Sequence, residues 1–227
     1  MVVVGADGYP GGWVLYSINV QSFATQVEVT HDLASLLRSR PADMAALGID
    51  VPIGLLDRPR ACDLAARKLL GVRGCCVFPA PSRAAVYAEH YSQASELNQE
   101  RTGRRLSKQS WGIVPKIRQV DEAMSTKSQT WAFEVHPEVS FWKLNQHHPM
   151  RYRKKSKEGR SERVTLLRSI CDGVDRQLER RPRGVGMDDL LDAAVSAWSA
   201  LRWWRGEACS VADSERDAMG FRVTIHC

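Results

Sequence analysis

The chain has 227 residues, 44% of them hydrophobic, enough for a packed core in one large domain or two small ones. Its 32 Lys and Arg outweigh 26 Asp and Glu by a formal +6, a mild excess whose distribution matters more than its sum. No run of about 18 apolar residues is present, and the N-terminus lacks the basic flank and small-residue cleavage site of a signal peptide, so a cytoplasmic protein with no membrane partner is expected.

Met1 to Ala6 is a continuous apolar, β-branched run, the pattern of a strand covered on both faces, and Asp7 follows it directly. After a Gly/Pro loop, Trp13 to Val20 reads as its hairpin partner. Thr25 to Thr30, with Val27 and Val29 alternating against Gln26 and Glu28, reads as a third strand. Gly8, Gly11 and Gly12 match neither phosphate-binding glycine fingerprint and lead into a strand rather than a helix, which makes them a hairpin turn. A helical pattern at Leu33, Leu36 and Leu37 is stopped by Pro41, and Met44 to Ile49 is a short apolar run followed by Asp50. A right-handed crossover lays this fourth strand parallel to the first.

Further along, the spacing predicts a helix from Pro59 to Leu70 ending at Gly71, and a helical polar segment from Arg83 to Arg105. Trp131 to Val135 is another short strand, broken by Pro137. A helix near Val164 to Cys171 and a long apolar one from about Asp188 to Trp204 follow. This last helix carries Trp198, Trp203 and Trp204, more apolar surface than one face needs, which suits a homodimer. The simplest partition is a single α/β domain over residues 1–227, with an inserted, mainly helical segment at about 71–130.

Six cysteines without a CxxC spacing imply buried thiols rather than a zinc site or a disulfide framework. The basic excess sits in two patches. One is Arg101, Arg104, Arg105 and Lys108; the other runs from Arg151 through Arg153, Lys154, Lys155, Lys157, Arg160 and Arg163. These are either solvated loops or contacts for a phosphate backbone.

Two strands end alike, VVVGAD at Asp7 and ALGID at Asp50, and ligands of an α/β sheet bind beyond the carboxyl ends of its parallel strands. WAFEVHPE adds Glu134 and Glu138, and the final helix opens with Asp188, Asp189 and Asp192. Crowded carboxylates repel unless a cation neutralises them, and magnesium or manganese prefers such oxygen donors. Two ions about 3.5–4 Å apart would activate water for phosphodiester hydrolysis. Each acid also has an ordinary use: Asp188 as a helix cap, Asp189 as a complement to the helix dipole, Asp7 and Asp50 in Asx turns. Asp192 is harder to explain so, lying a turn inside the helix among Leu190, Leu191, Ala193 and Ala194.

Taken in order, GADGYPGGWV, GIDVPIGL, RACDLAARKLLG with VFPAP, SKQSW, EVHPEVSFW and DDLLDAAVSAW resemble the family known as domain of unknown function 429, over about residues 2–205. Its members are described as predicted nucleases with an RNase H-like fold. The resemblance implies a mixed five-stranded sheet in the order 3-2-1-4-5, the first three strands antiparallel, with helices on both faces. In the wider superfamily, RuvC-type resolvases included, acids on the first strand, the fourth strand and the last helix bind the metals. By position these correspond to Asp7, Asp50 and Asp189 or Asp192. The family's EVHPE motif adds Glu134 as a ligand and His136 as a proton-transfer or phosphate-contact residue, or else as a hydrogen-bonded strand-end His. Lys108 of SKQSW, and Lys157 and Arg160 of SKEGR, become candidate phosphate contacts. Tyr9, Cys75 and Cys76 depart from the family pattern without touching a proposed ligand.

The function these readings imply is a nuclease dependent on Mg2+ or Mn2+, with nucleic acid as partner. Two alternatives stay open: a phosphotransferase of the actin or sugar-kinase type, whose first hairpin DGYPGG loosely resembles, and a non-catalytic binding or scaffold protein.

Overall fold

The computed structural model describes residues 1–227. Strands β1 (Val2–Tyr9), β2 (Gly12–Asn19) and β3 (Thr25–Thr30) form an antiparallel meander. Helix α1 (Leu33–Arg38) then crosses to β4 (Met44–Ile49), parallel to β1. Four helices, α2 (Ala61–Leu70), α3 (Arg83–Val86), α4 (Tyr91–Thr102) and α5 (Lys108–Ala123), precede β5 (Ala132–Glu134), which is parallel to β4. Helices α6 (Pro137–Leu144), α7 (Lys157–Arg168), α8 (Val174–Glu179) and α9 (Met187–Trp204) follow, and a hairpin of β6 (Ser210–Arg216) and β7 (Arg222–His226) ends the chain. The main sheet has the order β3-β2-β1-β4-β5, with the strand directions that the resemblance implies. No helix is long and apolar enough to cross a membrane.

Strand residues alternate between faces, so β1 divides its side chains between two cores. Val4 and Ala6 join Leu33, Leu37 and Ile117 on the side of α1 and α5. Val3 joins Tyr16, Ala46 and the apolar face of α9 on the other. On that second face stand Gly5 and, paired with it on β4, Gly48. A Cβ on Gly5 would lie 2.1 Å from the Ala193 carbonyl oxygen, and one on Gly48 would lie 2.8 Å from that of Ser196. Two glycines abreast therefore let the α9 backbone rest directly on the sheet, an approach that any side chain would prevent.

Several elements are shorter, longer or additional relative to the sequence reading. Arg83 to Arg105 divides into α3 and α4 because Tyr87 to His90 leaves the helical path. Helix α5 is a full element with a buried stripe of Val114, Ile117 and Val120, started by the Ser107 hydroxyl accepting from the Ser110 N–H at 3.0 Å. Gly112 and Pro115 interrupt its pattern in the sequence. The basic run from Lys157 onward belongs to α7 rather than to a loop. The closing hairpin packs on α2 through Val211, Val223 and Ile225, and it meets α9 where His226 stands edge-on to the Trp203 ring. Of the three tryptophans offered for a dimer, only Trp204 is exposed.

Candidate metal centre

The spacing that seats α9 on the sheet also builds the site. Asp7 is two residues past Gly5 and Asp50 two past Gly48, so both share the face on which α9 lies. Asp192 stands one turn before Ser196, whose backbone abuts Gly48. Carboxylate oxygens of Asp7, Asp50 and Asp192 consequently lie within 4.8 Å of one another, where the parallel β1–β4 pairing stops at Ala6 and Ile49 while β1 runs on to Tyr9 against β2. They form the floor of a cleft of about 420 Å³.

Asp7 and Asp192 are buried, at 8% and 2% exposure, and Asp50 is half-buried. Burial, with Asp50 and Asp192 beside it, raises the Asp7 carboxyl well above the usual range. Burial and the neighbouring Asp192 push Asp50 up to about 8. Burial likewise raises Asp192, although the Lys154 ammonium opposes it by donating to Oδ2 at 2.7 Å. The other Asp192 oxygen, Oδ1, is buried without a hydrogen-bond partner. Three acids that resist ionisation, offering only oxygen donors and one of them orphaned, fit a hard divalent cation such as Mg2+ or Mn2+.

The remaining predicted residues separate into those near the floor and those elsewhere. Asp189 lines the cleft but is engaged as a helix cap, accepting from the Gly186 N–H at 3.0 Å; of the two acids offered by the last helix, Asp192 joins the cluster. Glu134 also lines the cleft, yet it stands opposite Ile49 in the β4–β5 register and therefore faces away from α9. Arg60 holds both its oxygens, at 2.6 and 2.8 Å, and the Ile53 N–H donates to Oε2 at 2.6 Å. Arg60 in turn grips Asp63, and all three side chains are buried. Glu134 is thus half of an internal ion pair, not a member of the acid cluster.

His136 lines the cleft at the start of α6, where burial lowers its pKa and its Nδ1 has no partner. Lys108 and Arg160 do not line the cleft, and Lys157 lines a separate surface cavity beside Glu158 and Glu162. The two lysines that do reach the acids are Lys154 and Lys116. Lys154 comes from the second basic patch, and its pKa is raised chiefly by Asp192. Lys116 descends from α5, passes over Gly8 and donates to the Gly12 carbonyl at 2.8 Å. Burial lowers its pKa against the pull of Asp7 and Asp189. Lys116 carries no signal of this in the sequence, because Gly112 and Pro115 interrupt the apolar period of α5 just ahead of it.

A family model described as Protein of unknown function (DUF429) matches residues 5–216, nearly the whole chain. No curated protein and no solved structure matches it.

Proposed function

The chain belongs to the DUF429 family, and from that premise we propose that it is a metal-dependent nuclease that hydrolyses phosphodiester bonds of DNA or RNA. The observation that carries the reading is the meeting of Asp7, Asp50 and Asp192 within 4.8 Å on the floor of a cleft with two lysines at its sides. Such a cluster is unstable as three anions, and a cation resolves it.

Asp7, Asp50 and Asp192 are the residues that would hold Mg2+ or Mn2+, which supplies positive charge to a phosphate and lowers the pKa of an attacking water. Around them the chain does the rest. Lys116 and Lys154 bring cationic donors to an incoming phosphodiester, and their ammonium groups compensate the charge that accumulates on phosphorus oxygens during in-line attack. His136 lines the cleft, and burial favours its neutral imidazole, the form that takes a proton from an attacking water. Arg60 and Glu134 fix the wall opposite by tying β5 to the segment before α2.

The test is cleavage of labelled DNA and RNA oligonucleotides by purified protein with Mg2+ or Mn2+, against Asp7→Asn and against chelator. Loss of cleavage in both controls is expected. Full activity of Asp7→Asn would sink the assignment.

A further inference from the structure

The first basic patch, Arg101 to Lys108, plays no part in the chemistry above, and Lys108 does not reach the cleft. Yet a second cavity of about 250 Å³ opens beside the first, and the two share Arg60, Asp63 and Phe78 as a common wall. Arg67, Arg104 and Arg105 line this second cavity. Arg101 is drawn off toward Asp57 at 3.7 Å, whereas Arg104 and Arg105 are exposed and make no ion pair. Their backbone is nevertheless fixed, because buried Asn98 donates to the Arg104 carbonyl at 2.8 Å and accepts from the Ser82 N–H at 2.8 Å. Between the acid floor and these arginines the Phe78 ring stands 47% exposed, with Ile113 at 37% across the same cleft.

We infer that the substrate is a single nucleic-acid strand, with the scissile phosphate over the acid floor, a base against Phe78 and a neighbouring phosphate in the Arg104 and Arg105 cavity. This rests on the nuclease reading and narrows its substrate. Three features point the same way. The acids are buried at the foot of a cleft of small-ligand size, which a flexible strand can enter and a stiff duplex cannot. An exposed aromatic ring beside a cationic track is how proteins hold unpaired strands, since every base has a face to stack. The unpaired guanidinium groups lie on the far side of that ring from the acids, so a backbone is met by cations at both ends of a stacked base.

The experiment is fluorescence anisotropy in calcium, so that binding is read without turnover, using a single-stranded DNA oligonucleotide, its RNA counterpart and the matching duplex. Both single strands are expected to bind more tightly than the duplex, and any difference between them identifies the preferred sugar. Phe78→Leu keeps an apolar side chain without the ring and should weaken single-strand binding by roughly five- to a hundredfold. Arg104→Ala with Arg105→Ala should weaken it too and flatten the salt dependence by a slope of about 0.7, that of one lost phosphate contact. Duplex binding as tight as single-strand binding, or unchanged binding by both correctly folded variants, would overturn the inference whatever the cleavage assay shows. If the preference for single strands holds and depends on Phe78 while Mg2+ and Mn2+ give no cleavage, the strand site stands and the nuclease reading is the one that fails.

Discussion

Removing one acid should make the metal-free protein more stable. Asp50 has no ion pair, and burial with Asp192 beside it pushes its pKa to about 8 against 3.8 for a free aspartate. At about pH 7 the folded protein must therefore hold a proton that the unfolded chain releases, over a gap of about three units, which costs on the order of 4 kcal/mol. Direct repulsion gives the same order: unit charges 4.8 Å apart cost about 3.5 kcal/mol at an effective dielectric of ~20. Asp50→Asn keeps the shape and removes the charge. Allowing for an imperfectly paired amide, a net gain of roughly 2 kcal/mol raises Tm by about 4–8 °C for a chain of this size. The sign with pH follows from linkage. A carboxyl whose folded pKa is raised costs nothing below about pH 4, and its cost grows until pH passes about 8, so the variant's advantage should widen across that interval. Thermal unfolding followed by circular dichroism in chelator, from about pH 5 to pH 8, measures it. Millimolar Mg2+ or Mn2+ should then raise the Tm of the wild type and leave the variant nearly unmoved. A variant less stable than wild type at pH 8 without metal, or one that keeps the full metal shift, would refute the reasoning.

Gly5→Ala places a methyl group 2.1 Å from a backbone oxygen of α9 that has nowhere to go, so a loss of roughly 3 kcal/mol and of the metal-dependent Tm shift is expected from the same melts. Glu134→Gln leaves Arg60 short of a buried anion and should cost about 3–5 kcal/mol, while the metal-dependent shift survives, because Glu134 is not in the acid cluster; loss of that shift would restore Glu134 as a ligand. His226 is buried against Phe133 and Trp203 and its pKa is lowered to about 4, first by burial. Its contribution is intact above about pH 6.5 and falls away by roughly 3 kcal/mol as pH drops toward 4, since the unfolded chain takes up the proton first. His226→Gln should remove that slope in chemical denaturation, and an unchanged slope would acquit the residue.

The sheet was legible because its signal is local: apolar runs ending in turns define β1, β2 and β4, alternation defines β3, and each needs only its own residues to be read. Asp7, Asp50 and Asp192 were legible for a related reason, two of them closing apolar runs in the same way and the third standing a turn inside an apolar helix. Glu134 shows what such reading omits. Its strand is three residues long, too short for alternation to reveal its face, and only pairing with β4 turns it toward Arg60 and away from α9. The lysines show the same limit in another form. Nothing near Lys157 or Arg160 distinguishes them from Lys154, and the choice is made by where the segment between α6 and α7 crosses the cleft. That path is fixed in part by the buried Arg163–Glu138 pair joining the two helices. Gly5 and Gly48 lie between these cases. Each looks like a weak spot in its strand, and only their side-by-side register explains them as the seat of α9. The seat comes before the chemistry, because it alone brings Asp192 across some 140 residues of chain to Asp50. A homologous chain with a bulky residue at either glycine position should therefore lack the metal response even with all three acids retained, and a thermal shift with Mn2+ on such a chain would decide it.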